Sequence, residues 1–194
     1  MKNIMFNDKY GLTKAVLEGR KTHTRRIVTD KLFQECRSNG FVEAGGFNNE
    51  WKTKSIELLV KNSLYKIGEE VAVAQSYRDA IKEVGCLKNL LGGHPLPSAK
   101  GIKNKMFVKA DLMPHRIRIT NVRVERLQDI SEEDCLKEGI KRKNERYVVE
   151  NEKGVCFYTN DVILAFKCLI DKTCGKGTWD SNPWVFVYDF ELIK

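Results

Sequence analysis

Lys21 and Thr24 stand three residues apart in the segment Gly19-Arg20-Lys21-Thr22-His23-Thr24-Arg25-Arg26. A turn just past a helix end can aim both side chains into one pocket. The guanidinium groups of Arg20, Arg25 and Arg26 disfavour another positive charge nearby, which lowers the pKa expected for Lys21. A neutral amine beside a hydroxyl is a base–nucleophile pair. The competing reading is a solvated basic loop, because charged loops are common.

The elements that must position this pair can be read from the pattern around it. Leu12, Ala15 and Val16 follow a helical spacing, and Gly19 is a good stop, so a helix is expected over 8–18 with the basic group on the loop that leaves it. Residues 29–61 are mixed, with turn signals at Asn39-Gly40 and Gly45-Gly46. Tyr65 to Glu70 reads as a turn feeding a short buried strand, Val71 to Ala74. From Asp79 to Lys105 the texture is that of a long loop or lid, with Gly92-Gly93 and Pro95-Leu96-Pro97 inside it. Arg116 to Arg126 alternates as a strand whose phase slips near Thr120-Asn121, the mark of a bulge or of two abutting strands. Ser131-Glu132-Glu133-Asp134 reads as a capping box opening a short helix that Gly139 ends. A second amphipathic helix is expected over 160–172, and Pro183 to Glu191 is a strong closing strand. Short strands mixed with short helices, with no repeat and no linker, predict one α+β domain over 1–194.

Composition narrows the classes. The 194 residues carry 34 Lys+Arg against 26 Asp+Glu, a formal charge of +8. Spread evenly, that charge means little, but it is clustered: Arg20, Lys21, Arg25 and Arg26; Lys141, Arg142, Lys143 and Arg146; Lys100, Lys103 and Lys105. Such clusters favour a polyanionic partner, a nucleotide or a nucleic acid. Trp179, Trp184 and Tyr77 could stack a base. Trp184, opening an apolar strand, reads as core, and Trp179, between Gly177 and Asp180, as the better rim residue.

Six cysteines form no C-x-x-C, and the three histidines are scattered, so neither a metal nor a cofactor is expected. No stretch approaches a membrane span, and the first residues lack the apolar core of a signal peptide. The expectation is a cytoplasmic chain with reduced thiols and no membrane partner. Phosphate-loop, dinucleotide, nucleophile-elbow and zinc-deaminase motifs are absent.

The motif Gly19-Arg20-Lys21-Thr22-x-Thr24-x-Arg26 resembles the signature of the ASCH family, a branch of the PUA-like superfamily. Further marks follow in order. Tyr65-x-x-Gly68-Glu69 resembles the family's Y-x-x-G-D turn. Val122 to Asp134 with Glu138-Gly139-Ile140 resembles a strand-to-helix segment of longer, phage-associated members, and Asn182 to Val187 their closing strand. The resemblance implies a small, mostly antiparallel β-barrel with flanking helices and a cleft for a modified nucleoside or RNA. It is similar in the same motif to a compact bacterial branch that hydrolyses N4-acetylcytidine to cytidine and acetate. That branch's catalytic Lys, Thr and Glu fall on Lys21, Thr24 and Glu138. This chain departs from the branch in its greater length and in having Glu69 where Asp is usual.

The chemistry the resemblance implies is amide hydrolysis. Thr24, or a water it positions, attacks the acetyl carbonyl. Lys21 takes the proton, and Glu138 orients Lys21 or protonates the leaving amine. Arg26 stabilises the oxyanion or holds a phosphate, and Arg20, Arg25, Arg26, Tyr77 and Trp179 form the expected binding set. Two other readings use the same residues: a non-catalytic RNA-binding module, and a nuclease for single-stranded RNA.

Overall fold

In a computed structural model, the described residues are 1–36, 56–85 and 101–193. They fold as α+β around one five-stranded sheet. Its strands are β1 (Asn3–Ile4), β2 (His23–Ile27), β3 (Glu70–Val73), β4 (Arg116–Arg126) and β8 (Trp184–Ile193), in the spatial order β1-β3-β4-β8-β2. Only the β1–β3 pairing is parallel. A second sheet, β5-β6-β7, is a meander of Lys141–Lys143, Arg146–Asn151 and Gly154–Thr159.

The long β4–β8 pair is the spine of the fold. Ile117 and Ile119 face the core before the register shift at Ile119/Asn121, and Val122 and Val124 face it afterwards. The shift is the phase slip of the sequence, resolved as a bulge within one strand. One extra residue returns the apolar set to the same face. Glu69 closes the turn before β3: its Oε2 accepts the Lys66 N–H at 2.9 Å.

Among the described residues, helices α1 (Leu12–Leu17), α2 (Asp30–Cys36), α3 (Tyr77–Val84), α4 (Glu132–Lys137), α5 (Val162–Cys174) and α6 (Thr178–Ser181) flank the sheets. A further helical segment covers 56–61. Helix α5 buries Val162, Ala165, Phe166, Leu169 and Ile170, the i, i+3, i+4, i+7, i+8 stripe of a core helix. Asp161 caps it, accepting from the Ile163 N–H at 2.7 Å and the Leu164 N–H at 3.1 Å. Ser131 caps α4 through the Asp134 N–H at 3.2 Å, as the capping-box pattern predicts. Asp79, at the start of the expected lid, lies inside α3, so residues 79–84 are helical. Residues 86–100 of that lid, and the turns at Asn39-Gly40 and Gly45-Gly46, lie outside the described residues.

The helix expected over 8–18 is broken. A 3-10 turn, Asp8–Tyr10, precedes α1, and Gly11 between them adopts φ +67°. The reason is contact with the small sheet. A Cβ on Gly11 would lie 2.2 Å from the Glu150 carbonyl oxygen of β6. Gly11→Ala therefore combines left-handed strain with a clash against backbone, which cannot rotate away. A loss of about 3 kcal/mol is expected, read as a lowered urea midpoint at unchanged m-value.

Candidate active site

The segment after α1 is placed by backbone bonds. The Ala15 carbonyl accepts the N–H groups of both Arg20 and Lys21 at 2.9 Å, and the Thr22 N–H donates to the Lys137 carbonyl of α4 at 2.9 Å. The end of α4 thus lies against the end of α1. Gly139, at φ +104°, permits the approach: a Cβ there would sit 3.3 Å from the Ala15 Cβ and 3.5 Å from the Lys21 Cβ. Residues His23–Ile27 then form the edge strand β2 against β8, rather than the loop expected from their polarity.

This geometry brings Lys21 onto Glu138. The Lys21 ammonium donates to the Glu138 backbone carbonyl at 2.9 Å and to its carboxylate Oε2. Residue exposures are 2% for Lys21, 4% for Glu138, 4% for Thr24 and 7% for Arg25. All four border one cavity of about 520 Å³, together with Phe6, Arg26 and the inner face of α5. The Thr24 hydroxyl has no hydrogen-bond partner among the described residues, so it is available to a ligand. Burial pushes the Lys21 pKa below the ordinary lysine value. The charge and hydrogen bond of Glu138 oppose that shift, and Arg26 and Arg25 add to it.

Arg25 joins this pair to a larger network. Its Nη1 donates to Glu138 Oε1 at 3.0 Å, and its Nη2 to Glu125 Oε1 at 2.6 Å and Asp134 Oδ2 at 3.0 Å. Arg123 donates to Asp134, to Glu125 Oε2 at 3.2 Å and to Asp189 Oδ1 at 2.6 Å. His23 Nε2 lies 3.1 Å from the same Asp189 oxygen. Burial pushes the His23 pKa down, against the pull of Asp189 and Asp134. Glu138 is therefore held from both sides: Arg25 takes one carboxylate oxygen and Lys21 the other.

No family model, curated protein or solved structure matches the chain.

A lysine ammonium has three N–H groups, and Glu138 accepts two of them. The third position is an N–H in the ammonium and a lone pair in the neutral amine. Cys135, behind Glu138 on α4, is no competing nucleophile, because burial pushes its thiol up to about 12. Among the described residues, no group of three or more His, Cys, Asp or Glu is placed to hold a metal ion. No helix among them is long and apolar enough to cross a membrane.

The remaining expected binding residues scatter. Arg20 pairs with Glu18 at the surface, its Nη2 2.7 Å from Glu18 Oε2. Arg25 faces carboxylates, with its side chain 1% exposed, and not solvent phosphate. Arg26 borders the cavity, and its Nη2 donates to the Met5 carbonyl at 2.6 Å. Tyr77 is buried in a separate cluster with Ala80, Val108 and Met113. Its hydroxyl accepts the Lys109 N–H at 2.9 Å, so it offers no face to a base at the cavity. Trp179 packs edge-on to Phe166 at 6.1 Å, one ring behind the cavity wall, and Trp184 is half-buried under the Arg126 guanidinium. Lys141 and Lys143 both bind Glu150, and their hydrogen bonds pull its carboxyl down to about 2.

Sequence reasoning missed Phe6, Lys9, Glu125, Arg123 and Asp134, and Lys105 appeared there only within a basic cluster. Asp134 carried a signal: it lies four residues before Glu138 on one short helix, a spacing that puts two acids on the same face.

Proposed function

We propose that this chain is an ASCH-type hydrolase of an N-acylated cytidine, built on a PUA-like barrel to which the five-stranded sheet and its flanking helices belong. One observation carries the reading. A buried Lys21–Glu138 pair and an unpartnered Thr24 hydroxyl share a cavity of about 520 Å³, a size suited to a nucleoside.

In this reading Thr24 Oγ, or a water it holds, adds to the acetyl carbonyl carbon as the Lys21 amine takes its proton. The C–N4 bond then breaks, its electron pair goes to N4, and the proton returns to N4 through the Lys21–Glu138 pair. One water is consumed overall, and cytidine and acetate leave. Where Thr24 is itself the nucleophile, that water releases the acetyl group from its oxygen by the same route. Glu138 has a geometric task throughout: with two N–H groups engaged, the amine lone pair is left for the reacting proton.

A second reading is a non-catalytic binding module. The Lys21–Glu138 ion pair itself favours it, because a carboxylate stabilises the ammonium form. Incubation with a panel of acylated nucleosides, followed by chromatography, separates the two. The hydrolase releases cytidine and acetate in equal amounts from N4-acetylcytidine. A panel returned intact, with cytidine still bound by the protein, removes the hydrolase and leaves the binder.

A further inference from the structure

Five cations border the cavity: Lys9, Lys21, Arg25, Arg26 and Lys105. Three of them are answered by carboxylates that also border it. Glu138 holds Lys21 and Arg25, and Asp8 holds Lys105 at 2.8 Å. Lys9 and Arg26 make no ion pair among the described residues. Lys9 Nζ lies 5.6 Å from the centroid of the Tyr10 ring. Among the described residues the Arg26 side chain makes one hydrogen bond, to the Met5 carbonyl, which leaves four of its five N–H groups without a partner there. With Glu125 and Asp134 also on Arg25, the cavity cations left without a carboxylate among the described residues are Lys9 and Arg26.

Both are set on fixed backbone. Arg26 is inside β2, paired with Phe186 of β8. The Lys9 carbonyl is gripped by the small sheet: Asn151 Nδ2 donates to it at 2.6 Å and Cys156 Sγ at 3.4 Å. The Gly11 contact with β6 fixes the same turn. Two unpaired cations on braced elements beside one cavity are the components of an anion site.

We propose that Arg26 and Lys9 form a phosphate subsite, so that a nucleotide or a nucleotide unit of a strand is preferred over the free nucleoside; this rests on the nucleoside reading of the cavity above. It assigns Arg26 to the phosphate in place of the oxyanion. The planar guanidinium suits a phosphate edge, and the flexible ammonium of Lys9 adds a second charge.

The test is calorimetric binding of cytidine, cytidine 5′-monophosphate, cytidine 3′-monophosphate and a cytidine-containing dinucleotide to the full chain. None of these carries the acyl group, so binding is read without turnover. At least one phosphorylated form should bind about tenfold or more tighter than cytidine, with the margin narrowing as salt rises. The monophosphates and the dinucleotide tell a monoester from a diester. Lys9→Gln and Arg26→Gln should each shrink that margin several-fold. Lys82→Gln, remote on α3, should preserve it. Lys9 is exposed, so its variant keeps the test decisive if Arg26→Gln fails to fold.

Cytidine binding as tightly as every phosphorylated form, no measurable binding of any, or a margin that survives both substitutions overturns the proposal. Loss of the margin with hydrolysis of acetylcytidine intact removes the subsite and keeps the hydrolase. A margin that persists without any hydrolysis does the reverse. In a hydrolytic protein the two roles of Arg26 also separate kinetically: a phosphate contact raises KM for the nucleotide substrate, whereas an oxyanion contact lowers kcat for nucleoside and nucleotide alike.

Discussion

Lys21→Arg should fold and bind cytidine yet hydrolyse N4-acetylcytidine about 10²–10⁴ times more slowly than the parent, the usual contribution of a positioned general base. The substitution keeps a cation beside Glu138, so the ion pair survives. What it removes is the ability to give up a proton at accessible pH. The parent's own rate should depend on pH in a defined direction. A base works only when deprotonated, and burial lowers the Lys21 pKa from the ordinary lysine range. Turnover should therefore rise with pH through one ionisation below about 10.4 and then level off. Thr24→Ser keeps a hydroxyl on β2 and should retain part of the rate, whereas Thr24→Ala should not. The measurement is a pH–rate profile of cytidine release for the parent and each variant. Equal rates for Lys21→Arg and parent would make Lys21 a binding cation and transfer support to the non-catalytic reading.

The parts of this fold that follow from hydrophobic period were visible in the sequence. The bulge in β4 showed as a one-residue slip between Ile119 and Val122, because a buried face demands a fixed period of two. The apolar stripe of α5 showed for the same reason. Strand β2 did not. His23, Thr24 and Arg25 are all buried, yet none is apolar: one side of the strand meets carboxylates and the other meets the cavity. A method that looks for apolar alternation sees only a basic loop there. The break at Gly11 escaped notice because its cause, the Glu150 carbonyl, lies 139 residues further along the chain. Long-range pairing also decided the fate of the arginines. Arg25 and Arg26 are alike in sequence, but three acids, from β4, α4 and the turn that ends it, converge on the first and none of the described residues' acids pairs with the second.

That convergence makes Arg25→Met the substitution with the largest expected cost to stability, about 3–5 kcal/mol at neutral pH, the range for removing one partner of a buried ionic cluster. Met fills much of the volume, and it sits beside the Phe166 ring that now faces the guanidinium at 5.7 Å. The loss is thus mainly electrostatic: Glu125, Asp134 and Glu138 would face one another with Arg123, Lys21 and the more exposed Lys137 left to balance them. The effect should depend on pH. Burial works to raise the Asp134 pKa, but Arg25 and Arg123 outweigh it and hold the carboxyl below its ordinary value. A depressed carboxylate contributes stability that is present above its unfolded pKa of about 3.9 and is lost as pH falls through the lower folded value. The gap between parent and Arg25→Met should accordingly be widest above about pH 4 and narrow below it, as measured by urea unfolding across that range. Arg25→Lys should fall between the two, because an ammonium keeps the charge but cannot span three carboxylates with a planar fork. Adding Asp134→Asn to Arg25→Met should recover part of the loss by removing one unbalanced charge, a coupling that a double-mutant cycle isolates. A parent-like urea midpoint for Arg25→Met would mean that solvent already screens the cluster, and Glu138 would then need another explanation for its fixed orientation toward Lys21.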